Sequence, residues 1–91
     1  MSIREIMTCF AYILYSQKRQ RFYVGVANDI ADRLKRHNNA ESLSTKTGVP
    51  WELLHSFSCV DKSAAMILER KIKNRGIRRY LIDQGLDPLN G

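Results

Sequence analysis

A glutamate on a predicted helix is the first residue of this sequence whose position requires a chemical explanation. The helix is predicted over residues 63–74, and its apolar residues recur with the 3.6-residue helical period. Glu69 falls in the middle of the apolar face formed by Ala65, Leu68 and Ile72. An ionised carboxylate among apolar side chains is costly unless a positive group meets it. Glu69 could therefore pair with Arg33, lean out to solvent at the margin of the face, or bind a metal ion.

Arginine and histidine are spaced one helical turn apart in an earlier predicted helix, residues 29–38. Arg33 and His37 lie four residues apart on a row beside the inward stripe formed by Ile30 and Leu34. Both side chains are predicted to face the same place at the edge of the core. Taken singly, the arginine could be solvated or paired with a nearby carboxylate, and the histidine could be a favourable charge at the end of a helix.

Two tyrosines lie on consecutive predicted strands, residues 9–16 and 21–26. Ten residues separate Tyr12 from Tyr23, and either could be an ordinary half-buried strand aromatic. Gly25 follows the second tyrosine closely. Because glycine weakens the interior of a strand, its position there predicts that the backbone comes close to another group.

The elements that must position these residues follow in the order strand, strand, helix, strand, helix, helix. A polar loop is predicted over residues 38–50, and loops of this length in small domains are usually functional or mobile. The third strand, residues 51–59, is predicted to carry Leu53, His55, Phe57 and Cys59 on one face and Leu54 on the other. A short last helix covers residues 77–84. The fold class is therefore α+β, a small, mainly antiparallel three-stranded sheet flanked by helices.

Charge and composition restrict the classes of function. Fifteen Lys and Arg against nine Asp and Glu give the 91-residue chain a formal net charge of +6, which favours an anionic partner. A hydrophobic fraction of 44% suffices for one compact domain and excludes a two-domain enzyme with a cleft between its domains. We predict a flexible extension over residues 1–8, a domain over 9–84 and a tail over 85–91.

The same sequence predicts a cytoplasmic protein with no membrane partner. Its longest apolar stretch, residues 10–15, is far shorter than the roughly 18 to 20 residues of a membrane helix, and the N-terminus lacks the pattern of a secretory signal. Cys9 and Cys59 could form one disulfide, but two buried, reduced thiols are the favoured prediction. With His37 and His55 they show no zinc-ligand spacing, so a structural zinc site is not expected.

Taken together and in order, these motifs resemble the GIY-YIG nuclease superfamily. The first motif appears as residues 10–12 continued by 13–16, and the second as residues 23–25. The resemblance continues through Asn28, Arg33, Leu34, His37 and Asn38, the run 50–54, Ala65 and the run 69–73. It spans residues 9 to 80 and is strongest toward small stand-alone bacterial members and the N-terminal nuclease domain of the bacterial excision repair endonuclease. The sequence departs from the pattern at Phe10, where the family has glycine.

The resemblance implies metal-dependent hydrolysis of phosphodiester bonds. By position, Glu69 matches the family's metal ligand for a single Mg²⁺ or Mn²⁺, and Arg33 matches the arginine that contacts the scissile phosphate. Tyr23 and Tyr12 match tyrosines proposed to orient or deprotonate the attacking water. His37 matches an alternative acid or base. An arginine and a divalent cation suit this reaction because negative charge builds up on the phosphoryl oxygens.

The predicted partner is nucleic acid, with DNA favoured over RNA. Several basic residues could follow its backbone, namely Lys35, Arg36, Lys46, Lys71, Lys73 and Arg75. Because no separate DNA-binding module is visible, the domain would act with low sequence specificity, recognise DNA structure, or take specificity from a protein partner or self-association. The alternatives are a non-catalytic nucleic-acid-binding module of the same fold and an interaction protein whose charge only maintains solubility.

Overall fold

The predicted order of elements is confirmed in a computed structural model, which describes residues 8–86. Residues 1–7 of the predicted N-terminal extension and residues 87–91 of the predicted tail lie outside this range. Three strands, three α-helices and one 3₁₀ turn are present in it. They are β1 (Cys9–Ser16), β2 (Arg21–Ala27), α1 (Ile30–Asn38), the 3₁₀ turn (Lys46–Gly48), β3 (Trp51–Cys59), α2 (Lys62–Arg75) and α3 (Ile77–Asp83). No helix of residues 8–86 has the length and apolar character needed to cross a membrane.

The sheet has the order β2-β1-β3, and both pairings are antiparallel. The central strand β1 is the most apolar of the three, which suits a strand covered on both faces. Cys9 of β1 lies opposite Cys59 of β3, and both are free thiols. Because β1 lies between the other two strands, β2 and β3 form the two edges of the sheet.

Helices cover both faces of this sheet. Alternate residues of β1 point to opposite faces, so Tyr12 belongs to one core and Ile13 to the other. The first core lies beneath α1 and contains Tyr12, Leu14, Ala27 and Trp51, with Ile30 and Leu34 packed against it. The second lies beneath α2 and α3 and contains Ile13, Val24, Ile72, Tyr80 and Leu81. Consequently α1 and α2 carry their functional side chains on opposite sides of the sheet.

The predicted alternation along β3 is wrong at one point. The register of β3 against β1 shifts between Ile13 and Leu14, so that Leu53 and His55 are paired while Leu54 is passed over. Because of this bulge, Leu54 packs with Phe57 against the core beneath α2 and α3. Leu53, expected on the same face as Phe57, is 41% exposed.

The start of α1 also differs from the prediction. The sequence favours Asn28 as the N-cap, but the cap is Asp29, whose Oδ1 accepts a hydrogen bond from the Asp32 N–H at 3.0 Å. The Asn28 amide instead donates to the Thr8 carbonyl at 2.7 Å, where it ties the end of β2 to the residue before β1. Asp61 caps α2 in the same way as Asp29 caps α1. Helix α1 therefore begins at Ile30, one residue later than predicted.

Candidate active site

Tyr12 lies at the base of the candidate site and depends on a glycine for its position. Its side chain is fully buried, and its ring crosses over Gly25, its partner on β2. A Cβ atom at Gly25 would lie 2.5 Å from the Tyr12 hydroxyl oxygen and 2.6 Å from its Cζ. The close approach predicted for Gly25 is thereby confirmed, and what the position requires is space.

Replacing this glycine should displace the tyrosine. We expect Gly25→Ala to lower the free energy of unfolding by about 1–3 kcal/mol, because the buried phenol cannot move away without losing its packing. Denaturant unfolding measures the change. In a Tyr12→Leu background the same substitution should cost much less, since the colliding atoms are gone. An equal cost in both backgrounds would contradict this explanation of Gly25.

His37 is buried and hydrogen-bonded at both ring nitrogens. Its Nε2 lies 3.0 Å from the Tyr12 hydroxyl oxygen, and its Nδ1 lies 2.8 Å from the Thr45 hydroxyl oxygen. The side chain is 4% exposed. Burial, followed by the positive charge of Arg33, lowers the pKa of His37. The imidazole is therefore neutral at pH 7 and has one nitrogen available as an acceptor.

This pKa shift makes the stability of the fold depend on pH with a definite sign. Between the lowered pKa of His37 and the ordinary value of about 6.5, the unfolded chain binds more protons than the folded one. Stability should therefore fall as the pH decreases from about 7 through the ordinary histidine pKa of about 6.5. His37→Gln should flatten this slope in denaturant unfolding measured across the range. Parallel slopes for the two proteins would show that His37 does not titrate abnormally.

Tyr23 joins Tyr12 and His37 in an aromatic cluster. Its ring centroid lies 5.0 Å from that of His37, 6.3 Å from that of Tyr12 and 6.3 Å from that of Trp51. Burial and then Tyr23 raise the pKa of Tyr12 to about 12, against an opposing effect of Arg33. Burial and then the charge of Glu69 raise the pKa of Tyr23, and Arg33 again opposes them. Both phenols are therefore neutral at pH 7.

Arg33 is exposed at the open side of this cluster. It helps to line a cavity of about 290 Å³ whose other residues are Tyr23, Arg36, His37, Glu41 and Ser42. Within residues 8–86, none of the ion pairs involves Arg33, whereas Arg36 pairs with Asp32 at 3.0 Å. The predicted pairing of Arg33 with Glu69 or with a neighbouring carboxylate is thus not formed. Its charge is free to meet an anion in the cavity.

Glu69 belongs to α2, which covers the other face of the sheet from α1. Its charge contributes to the raised pKa of Tyr23 and to that of Tyr12. The side chain is 23% exposed, at the margin of the apolar face, and its Oε2 lies 3.7 Å from the Nζ of Lys73. Residues 8–86 contain no cluster of three metal-ligating side chains. A single accessible carboxylate still suits Mg²⁺, which is commonly held by one or two carboxylates, several waters and a substrate phosphate.

The basic residues predicted to bind nucleic acid are all exposed, but their surroundings differ. Lys35 lies on α1, Lys46 in the loop before β3, and Lys71 on α2. The other three, Arg36, Lys73 and Arg75, contact carboxylates of the protein. Arg75 is held by both oxygens of Asp83, at 2.6 Å and 3.1 Å. A phosphate at Arg75 would have to compete with that carboxylate.

Two supporting interactions were not predicted from the sequence. Asn38 holds the start of β3 through its side chain, which accepts from the Trp51 N–H at 2.6 Å and donates to the Trp51 carbonyl at 3.0 Å. Thr45 is fully buried and supplies the partner of His37 Nδ1. The only sequence signal for Thr45 is the general need of a buried histidine for a partner at each nitrogen.

This sheet, with tyrosines from two adjacent strands beside an arginine and a histidine of α1, is the arrangement of a known class of catalytic domain. The family model of the GIY-YIG catalytic domain matches residues 8–80, so the chain belongs to the GIY-YIG family, which is a family of nucleases. The chain is also similar to the UPF0213 protein BH0048 from Bacillus halodurans, whose structure was solved by NMR in solution. The two share 25% sequence identity with a TM-score of 0.55, covering 90% of this chain and 89% of that one. No curated protein matches the sequence significantly.

Proposed function

We propose that this protein is a metal-dependent endonuclease that hydrolyses phosphodiester bonds in DNA in the cytoplasm, with selectivity for DNA structure or low sequence specificity. One observation carries the proposal. The Arg33 guanidinium, which makes no ion pair within residues 8–86, lines one cavity with Tyr23 and His37. In turn, His37 lies 3.0 Å from the hydroxyl oxygen of Tyr12. The charge of Glu69, on the helix that covers the other face of the sheet, adds to the upward shift in the pKa of both tyrosines. The catalytic domain in this proposal is residues 9–84.

We assign Arg33 the role of binding the scissile phosphate. Its guanidinium lacks a carboxylate partner in the described part of the chain and opens onto the cavity beside Tyr23. A guanidinium presents its N–H groups in a fork that matches two phosphate oxygens. As the phosphoryl group is attacked, negative charge grows on those oxygens, and Arg33 stabilises it.

We assign the tyrosines the role of binding and orienting the attacking water. His37 is assigned the role of accepting the proton. A phenol whose pKa is raised to about 12 is a poor base at pH 7, so Tyr12 acts first as a hydrogen-bonding partner. His37 is neutral and lies 3.0 Å from the Tyr12 hydroxyl oxygen, within reach of a proton transfer. Tyr12 is fully buried and does not line the cavity, so a proton from water beside Tyr23 can pass by way of Tyr12 to His37 only when the Tyr12 hydroxyl opens to that water. This route replaces an unfavourable phenol base by an imidazole.

A divalent cation is implied by the family, and Glu69 is the residue that would hold it. The fit rests on its carboxylate, which is 23% exposed and whose one ion pair within residues 8–86 is the long contact with Lys73 at 3.7 Å. Mg²⁺ or Mn²⁺ held by this carboxylate would supply positive charge to the phosphate oxygens. Loss of the Glu69 charge would also relieve part of the upward shift in the Tyr23 pKa.

The positions of the basic residues suggest how DNA would approach. Lys35 of α1 and Lys71 of α2 lie on helices that cover opposite faces of the sheet. A nucleic-acid backbone that contacts both helices would cross an edge of the sheet. We place that crossing at the β2 edge because Tyr23 lies on β2. Such a path contacts phosphates without reading base edges, which agrees with low sequence specificity. A protein partner or self-association would add selectivity.

A substrate panel tests this proposal. Labelled duplex, single-stranded, flap and branched DNA, together with RNA of the same sequences, should be incubated with the folded protein with and without Mg²⁺. We expect metal-dependent cleavage of at least one DNA, with RNA cut more slowly. Preferential RNA cleavage would overturn the assignment of substrate. Salt-sensitive binding without cleavage of any nucleic acid would establish the non-catalytic binding module instead.

A further inference from the structure

The loop before β3 reaches into the back of the candidate site. The sequence predicts that this loop is functional or mobile, and it carries Thr45, whose side chain is completely buried. Its hydroxyl oxygen lies 2.8 Å from His37 Nδ1, on the side of the imidazole away from Tyr12. A threonine hydroxyl, an imidazole and a phenol therefore form one continuous buried chain of hydrogen bonds.

Several contacts hold Thr45 in this place. The indole N–H of Trp51 donates to the Thr45 carbonyl at 2.7 Å, and the Thr45 N–H donates to the Ser42 carbonyl at 3.2 Å. Gly48 packs directly against the Trp51 ring, where a side chain would not fit. Because Trp51 is itself held by Asn38, the loop is anchored to the end of α1 that carries His37. The position of Thr45 relative to the imidazole is thus fixed on both sides.

The direction of the hydrogen bonds decides what His37 can do. A neutral imidazole carries one N–H, so either Nδ1 donates to Thr45 and Nε2 accepts from Tyr12, or both bonds run the other way. The second arrangement would place the His37 N–H on the Tyr12 oxygen, so that the phenolic hydrogen loses the acceptor that Nε2 provides. Within residues 8–86, no other acceptor is in hydrogen-bond contact with the buried Tyr12 hydroxyl. An unpaired buried donor is costly.

The first arrangement is favoured by donor strength. Tyr12 then donates to Nε2, and Nδ1 donates to Thr45. Within residues 8–86 the imidazole is the one acceptor in hydrogen-bond contact with either hydroxyl, so only one of the two can donate to it. A phenol, with an ordinary pKa of about 10, is a stronger donor than an aliphatic hydroxyl, and Tyr12 therefore takes the accepting nitrogen.

We propose that Thr45 is a positioning residue that holds neutral His37 in the tautomer protonated at Nδ1, which leaves Nε2 to accept the Tyr12 hydroxyl proton. Its catalytic consequence rests on the proposed nuclease function. When His37 receives that proton, Nδ1–H keeps its acceptor in Thr45 and Nε2–H gains one in the Tyr12 oxygen. The tautomer itself is a property of the folded protein and is independent of any activity.

Nitrogen NMR of the imidazole tests the tautomer directly. In ¹⁵N-labelled wild type at pH 7.5, the protonated and unprotonated ring nitrogens resonate far apart, and His37→Gln identifies the signals. We expect Nδ1 to be the protonated nitrogen in wild type and in Thr45→Ser. In Thr45→Val the population should move toward the Nε2–H form, because valine cannot accept the bond. Thr47→Val, a change at an exposed threonine of the same loop, should leave the spectrum unchanged.

The outcomes are decisive even if one variant does not fold. A wild-type His37 protonated at Nε2 overturns the proposal without any variant, and so does a folded Thr45→Val that keeps the wild-type tautomer. In cleavage assays Thr45→Val should be slower by about tenfold, and Thr45→Ser should recover most of the rate. A changed tautomer with an unchanged rate would overturn the positioning role. A wild type that cleaves nothing refutes the nuclease function and leaves the tautomer result standing.

Discussion

Glu69→Gln should abolish metal-dependent cleavage, with a loss of about a thousandfold or more in rate. The amide keeps the size of the side chain but removes the negative charge that would hold a divalent cation, and metal stabilisation of phosphoryl charge is worth several kcal/mol. The fold should survive, because Glu69 lies at the margin of the apolar face and its ion pair with Lys73 is long at 3.7 Å. Single-turnover cleavage of labelled DNA measures the effect.

A matched control separates this effect from a general loss of negative charge. Glu52→Gln makes the same change at an exposed position on β3 and should leave the rate unchanged. DNA binding by Glu69→Gln in the absence of metal should equal or exceed that of wild type, since a carboxylate near the phosphate has been removed. Cleavage by Glu69→Gln at the wild-type rate would exclude Glu69 as the metal ligand.

Arg33→Ala should reduce the cleavage rate by about a hundredfold to a thousandfold. Removing one preorganised donor from the developing charge of a transition state typically costs this much. The Tyr12 pKa should also rise further, because Arg33 now opposes its upward shift. Stability should change by no more than about 0.5 kcal/mol, since the side chain is exposed and makes no ion pair within residues 8–86.

Arg36→Ala is the natural control for Arg33. Both arginines line the same cavity, but Arg36 is engaged by Asp32 at 3.0 Å. We expect Arg36→Ala to weaken DNA binding slightly and to leave the single-turnover rate nearly unchanged. Arg33→Lys should recover only a small part of the activity, because an ammonium cannot make the forked contact. Equal losses of cleavage rate in Arg33→Ala and Arg36→Ala would contradict a specific contact of Arg33 with the phosphate. They would show that the two arginines act only through their positive charge.

Local patterns were sufficient to predict the elements and the meeting of several site residues. The apolar run of β1 indicated a strand covered on both faces, and the four-residue spacing placed Arg33 and His37 together beside the apolar stripe of α1. Gly25 in a strand indicated a close approach, which the Tyr12 ring makes. These predictions succeeded because helix and strand periods are local properties of the chain. The residue roles themselves await experiment.

Long-range pairing explains what the sequence could not reveal. The bulge that moves Leu54 into the core depends on the register between β1 and β3. That register is set by contacts between two strands that lie far apart in the chain. Asn28 lost its capping role because its amide reaches Thr8, twenty positions away. A buried histidine needs two partners, but the loop before β3 offers four hydroxyl side chains, and only its folded path selects Thr45.

A metal-start time course tests the central claim most directly. Folded protein, in excess over end-labelled branched and duplex DNA, is equilibrated in chelator, and then Mg²⁺ or Mn²⁺ is added beyond the chelator. The account predicts that products appear only after the metal is added, that Glu69→Gln and Arg33→Ala form them at least about a hundredfold more slowly, and that all three proteins bind the DNA. Intact DNA in every wild-type sample, or equal product from Glu69→Gln, would contradict it.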